Sequence, residues 1–183
     1  MVMLENMKIA ALFVSFLLAL PRLLPAAEAG SLDPQLEPLR PLLGKTWKGA
    51  FKNSTPEKPI IDVANWERAL NGKAVRVLHS INEGTYGGES IIFWDKENQT
   101  LAYHYFTTAG FITIGTVKVE GGKFITNEKV SGDAGGTTEV RGTHELRKDG
   151  KLHVKTEYLV NGEWKPGREA VYEDDASAKV IFK

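Results

Sequence analysis

The feature that most constrains this chain is a series of tight-turn signals set between short stretches whose hydrophobicity alternates with a period of two. Asn71-Gly72, Asp149-Gly150 and Asn161-Gly162 are dipeptides that a two-residue type I′ hairpin turn favours, because both central residues there take positive φ. Gly121-Gly122 serves the same purpose, and Asp95-Lys96-Glu97-Asn98-Gln99 is a polar loop between two apolar runs. Between the turns, Val75, Val77, His79 and Ile81 alternate with Arg76, Leu78 and Ser80, and Val140, His144 and Leu146 alternate with Glu139, Arg141, Thr143 and Glu145. Leu152, Val154, Thr156, Tyr158 and Val160 alternate in the same way with His153, Lys155 and Glu157. That period belongs to strands with one apolar and one wet face, since a helix would repeat at 3.6.

These signals predict ten strands, near residues 46–53, 60–70, 73–82, 87–95, 100–107, 111–120, 123–130, 137–148, 151–160 and 163–174. No amphipathic helix is available to cover their apolar face, so a hairpin-linked meander buries it most simply by closing on itself, which also removes the exposed edges. The expected fold is all-β, a single antiparallel up-and-down β-barrel of about ten strands with a short N-terminal helix. A two-sheet sandwich would need longer Greek-key links than these turns supply. The expected helix falls within residues 30–45, with Asp33 as N-cap, Pro34 at the first helical position, and Pro38 and Pro41 keeping it short. Its leucines are expected to cap something apolar. Ser131-Gly132-Asp133-Ala134-Gly135-Gly136 reads as a wide turn.

The first 29 residues read as an address rather than as part of the fold. Lys8 precedes an apolar run from Ile9 to Leu20, then come Pro21 and Pro25, and Ala27-Glu28-Ala29 offers small residues where a signal peptidase cuts. The run is too short to span a bilayer, which takes about 20 residues. We therefore expect a signal peptide over 1–29, a capping extension over 30–45 and a barrel over 46–183, exported to a periplasm or secreted, with no integral span in the mature chain. Twenty-three basic and 23 acidic side chains with no basic block argue against a nucleic-acid partner. The absence of cysteine excludes disulfides, thiolate metal sites and a cysteine nucleophile.

Leu43-Gly44-Lys45-Thr46-Trp47-Lys48-Gly49 opens the first strand. Here the chain resembles lipocalin-like, or calycin-like, barrels, whose first strand begins with a Gly and a Trp that plugs the closed end. Two residues separate Gly44 from Trp47, where the strict lipocalin pattern has one. The likeness extends over the whole mature chain, to exported bacterial lipocalin-like domains of unknown function. It implies a barrel with a hydrophobic ligand in the lumen, and it implies no reaction.

Strand parity directs His79, His144, Thr156 and Tyr158 inward among Val75, Val77, Val140, Leu146 and Val154. Buried polar groups need partners, so these four meet one another or a ligand. Tyr103 and Tyr105 share one face of a strand with His104 and Phe106 on the other, and with Trp94 and Phe111 they are placed to line a mouth. His79, His144, Tyr158, Tyr103, Tyr105 and Thr156 are thus the candidate ligand-binding residues, for a small hydrophobic or amphipathic molecule. A haem on a single His79, His104 or His144, or a metal, is an alternative, although neither H-x-H nor H-E-x-x-H spacing occurs. A ligand-free envelope interaction module, using outward Leu78, Ile112 or Ile114, is another, and a lumen-sited isomerase or hydrolase is a third. No nucleophile elbow, phosphate loop or dinucleotide fingerprint occurs, so no catalytic residue and no cofactor is assigned and the chain is not expected to be an enzyme. Asp62, Glu67, Glu83, Glu89 and Asp95 read as solvated surface or turn carboxylates.

Overall fold

The computed structural model describes residues 30–183; the expected signal peptide lies outside the described residues. Ten strands follow one another: β1 (Lys45–Phe51), β2 (Ile61–Ala69), β3 (Ala74–Ile81), β4 (Tyr86–Asp95), β5 (Thr100–Thr107), β6 (Ile112–Glu120), β7 (Lys123–Ser131), β8 (Thr137–Leu146), β9 (Leu152–Val160) and β10 (Glu163–Asp174). Each pairs antiparallel with its sequence neighbours, and β1 pairs with β10 to close the barrel. Closure satisfies the backbone groups that an open sheet would leave along its two edges.

The turns show how local chemistry sets the register. Gly121 and Gly122 (φ 57° and 76°) link paired Glu120 and Lys123, and Asn161 and Gly162 (φ 53° and 81°) link paired Val160 and Glu163, as a type I′ turn requires. The other two dipeptides correct the sequence reading. Asn71-Gly72 sits inside a longer connection between paired Ala69 and Ala74, in which Leu70, Asn71 and Gly72 all take positive φ. In Asp149-Gly150 only Gly150 does so; its N–H donates to the Arg147 carbonyl at 3.0 Å while the Arg147 N–H donates to that of Lys151 at 2.9 Å. A glycine bulge following the turn there supplies the twist that a type I′ pair would otherwise supply.

One end of the barrel is stoppered. Residues Pro34–Leu42 form a 3-10 helix, with the Asp33 side chain accepting from the Gln35 N–H at 3.2 Å. A proline at the first helical position costs no hydrogen bond, and Pro38 and Pro41 break any longer α-helical ladder. Leu36, Leu39 and Leu42 are fully buried at a spacing of three, the repeat of a 3-10 helix. Trp47, also fully buried, packs with them in the same cluster, and its indole N–H donates to the Leu42 carbonyl at 3.2 Å. Trp66, Ile92, Leu101, Val117, Phe124 and Leu152 complete this base.

Candidate functional site

The interior is not filled by its own side chains. A cavity of about 350 Å³ runs through it, within the usual size of small-molecule sites. Its lower part is lined by Trp47, Trp66, Ile92, Val117, Phe124 and Leu152, and its opposite rim by partly exposed Phe51, Ile81, Phe111, Ala134 and Thr137. Polar side chains are concentrated between them, so the lumen is apolar at the base and hydrogen-bonding toward the rim.

All six residues singled out from the sequence line this cavity. The structure joins two of them directly: the His79 ring takes the Tyr105 hydroxyl at 2.7 Å on Nε2 and the Asp62 carboxylate at 3.0 Å on Nδ1. Tyr105 continues to the Tyr86 hydroxyl at 2.9 Å, making a chain Asp62–His79–Tyr105–Tyr86 across β2 to β5. Tyr103 lies one turn of the pleat deeper and bonds the Ser90 hydroxyl at 2.9 Å. Thr156 Oγ1 accepts from the Arg168 backbone N–H at 2.7 Å, holding β10 against β9. His144 stands apart, in the apolar part between Phe124 and Val154, and its Nδ1 is buried without a partner. Tyr158 faces the lumen on the rim side. Trp94, expected at the mouth, instead packs against the core at the base, while Phe111 does stand at the mouth.

Three charged residues of the site were not found from the sequence. Asp62, expected at the surface, is 1% exposed. It shares parity with Ala64 and Trp66 on β2, and that alternation was the available signal. Its Oδ2 accepts from the Tyr172 hydroxyl at 2.7 Å and from Arg168 Nη1 at 3.3 Å. Arg168 reaches the lumen beside a β-bulge, where the register shifts between Pro166 and Glu169. Gly167 is needed there because a Cβ would lie 2.6 Å from both Thr156 Oγ1 and Tyr158 Cε2. Glu128 follows Phe124 and Thr126 inward on β7, and its carboxylate accepts from the Thr113 hydroxyl at 2.5 Å.

The electrostatics follow from burial set against neighbours. Burial opposes ionisation of Asp62, but the hydrogen bond of His79, the charge of Arg168 and the Tyr172 hydroxyl outweigh it and hold the carboxyl below its ordinary value. Burial also opposes the charge on Arg168, yet the Asp62 carboxylate beside it keeps the guanidinium protonated. Glu128 lacks an equivalent cation, and burial raises it. Burial, aided by the Arg168 charge, lowers His144 to about 3, so its imidazole is neutral. Tyr86, Tyr103, Tyr105 and Tyr172 are all raised, chiefly by burial, and stay phenolic.

Among the described residues no group of three or more His, Asp or Glu side chains is placed to hold a metal ion, and no helix is long and apolar enough to cross a membrane. On the outer wall, Ile114 is 46% and Phe106 48% exposed, while Leu78 and Ile112 are half-buried.

No family model matches the chain, and no curated protein matches it in sequence. Among solved structures it is similar to the crystal structure of Rv2717c from M. tuberculosis, with a TM-score of 0.55 and 17% sequence identity, over 79% of this chain and 99% of that one. At that identity the likeness is one of fold, a barrel shared without a shared function being shown.

Proposed function

We propose that the protein is an exported, lipocalin-like binding protein that holds a small amphipathic molecule in its lumen, with the apolar part toward Trp47 and the polar part among Asp62, His79, Tyr105 and Arg168. The observation that carries this reading is the graded cavity of about 350 Å³, stoppered at an apolar base and polar toward its rim. An interaction module with its function on the outer wall would gain nothing from leaving such a space, because each unfilled void forfeits dispersion contacts in the core. The Ala27-Glu28-Ala29 site after the apolar run supports export, and Trp47 at the stoppered end supports the lipocalin-like assignment.

Native mass spectrometry of the protein purified from its own host's periplasmic or secreted fraction tests the reading. A stoichiometric small molecule released on denaturation is expected, together with its loss in Val154→Trp, where the added ring fills the lumen. A clean ligand-free mass, with no later uptake of a fluorescent fatty acid or of haem, would overturn it.

A further inference from the structure

Asp62 stands between the His79 imidazole and the Arg168 guanidinium and holds each by a different oxygen. Its Oδ1 meets His79 Nδ1 at 3.0 Å, while Oδ2 meets Arg168 Nη1 at 3.3 Å. The arginine contact is long and single, not the two-pronged arrangement in which guanidinium and carboxylate bind best. Arg168 Nε is buried with no partner beside the cavity that the same side chain lines. An N–H left in that condition costs stability, and an acceptor oxygen would recover it.

The titratable groups facing this cluster are Tyr86 from β4, Tyr103 and Tyr105 from β5, Glu128 from β7, His144 from β8, Tyr158 from β9 and Tyr172 from β10. Burial keeps His144 neutral and biases Glu128 and the phenols of Tyr86, Tyr103, Tyr105 and Tyr172 toward their neutral forms. The lumen therefore sets the Arg168 guanidinium against the Asp62 carboxylate, with the His79 imidazole in contact with the same carboxylate.

We propose that the lumen selects a ligand carboxylate at Arg168 and that binding it draws one proton onto His79. This rests on the amphipathic binding reading and specifies its head group. A carboxylate on the free edge of Arg168 makes the guanidinium serve two anions. Asp62, sealed from water, then needs a second cation, because an uncompensated buried charge is strongly unfavourable. His79 is already in contact with it. The proton comes from solvent to Nε2, and no bond in the ligand changes. Tyr105 allows either state: its hydroxyl donates to a neutral Nε2 at 2.7 Å, or turns to donate to Tyr86 at 2.9 Å and accepts from the imidazolium.

The test is isothermal titration of the ligand-free protein with decanoate and with decan-1-ol, each in two buffers of different ionisation enthalpy. Near neutral pH, decanoate is expected to bind with uptake of up to one proton and to tighten by up to about tenfold for each pH unit lowered, while decanol binds with neither effect. In His79→Gln the proton uptake disappears and decanol binding remains; in Arg168→Gln the preference for decanoate over decanol is lost. Decanoate binding without proton uptake, uptake persisting in His79→Gln, or decanol binding as tightly as decanoate at acidic pH each overturns the carboxylate proposal and leaves the binding reading standing. Binding of neither probe overturns both. Should His79→Gln fail to fold, the two-buffer comparison is made in Glu128→Gln: uptake that persists there keeps His79 as the acceptor, and uptake that vanishes overturns it.

Discussion

The Asp62 carboxylate and the His79 imidazole are 3.0 Å apart although they are not opposite one another in the β2–β3 ladder: Asp62 pairs with Ile81, and His79 with Ala64. They meet on the diagonal of the inner face, where long side chains still reach. This contact anchors the polar part of the lumen, since Asp62 also receives Tyr172 and Arg168 from β10, across the seam that closes the barrel.

Asp62→Asn keeps the shape of that centre and removes its charge, leaving Arg168 buried without a counter-ion. Breaking a buried pair in this way costs about 3–5 kcal/mol, to be read from urea unfolding at neutral pH. The carboxyl is held below its unfolded value of 3.8, so its contribution is complete above that value and is lost as the pH falls through the lower folded one. The acid-unfolding limb below about pH 4 should therefore be shallower in Asp62→Asn than in the wild type. A wild-type-like stability would show that the cluster does not hold the seam.

His144 is expected to act in the same direction, over a higher stretch of pH. Its folded value of about 3 lies below the ordinary 6.5, so the unfolded chain takes up a proton that the folded one refuses. Stability is then complete above pH 6.5 and falls as the pH drops toward 3, by up to about 1.4 kcal/mol per pH unit for this group. His144→Leu should flatten that stretch of the profile and raise stability at neutral pH by about 1–3 kcal/mol, because it removes a buried nitrogen with no partner. Chemical denaturation across the pH range measures both, and a destabilised leucine variant would contradict the assignment.

The barrel was legible in the sequence because alternation and turn chemistry are local. The ten strands fall within a few residues of their expected ranges, and each candidate residue faces inward because a strand with one buried face has its parity fixed over its whole length. The charge cluster was hidden for a different reason. Asp62 and Glu128 have the parity of their apolar neighbours, but a carboxylate in such a pattern is ordinarily solvated, and only the meeting of β2 with β10 across the seam reveals the cation that makes burial tolerable. Nothing near Arg168 in sequence announces a partner 106 positions away. Similarly, Asn71-Gly72 and Asp149-Gly150 carry the right residues for a two-residue turn, but the pairing of the flanking strands sets the loop length.

Glu128→Gln separates the charge of the acid from its hydrogen bonds. The folded group titrates above its ordinary 4.5, so the unfolded chain releases its proton first and stability falls as the pH rises from 4.5 toward the folded value. The amide keeps an oxygen for the Thr113 hydroxyl and has no proton to lose. The variant should be at least as stable as the wild type at neutral pH and should lack that decline. A loss of stability at neutral pH, measured by thermal unfolding, would mean that the ionised carboxylate is the form the lumen needs.

Trp47 tests whether the stopper is part of the barrel or an attachment to it. Its ring is fully buried against Leu36, Leu39 and Leu42, and its N–H is the hydrogen bond that ties the 3-10 helix to β1. Trp47→Ala removes both and should cost about 3–5 kcal/mol; Trp47→Phe keeps most of the ring and should cost less, with the Leu42 carbonyl losing its indole donor. If the helix depends on this packing, limited proteolysis of the alanine variant will cut between Pro34 and Leu42 before it cuts any strand, because a helix this short and interrupted by two prolines has little stability of its own. The base of the lumen then opens, and a ligand held by its apolar end should dissociate faster from Trp47→Ala than from Trp47→Phe. Equal release from the two would place the apolar end of the ligand away from Trp47.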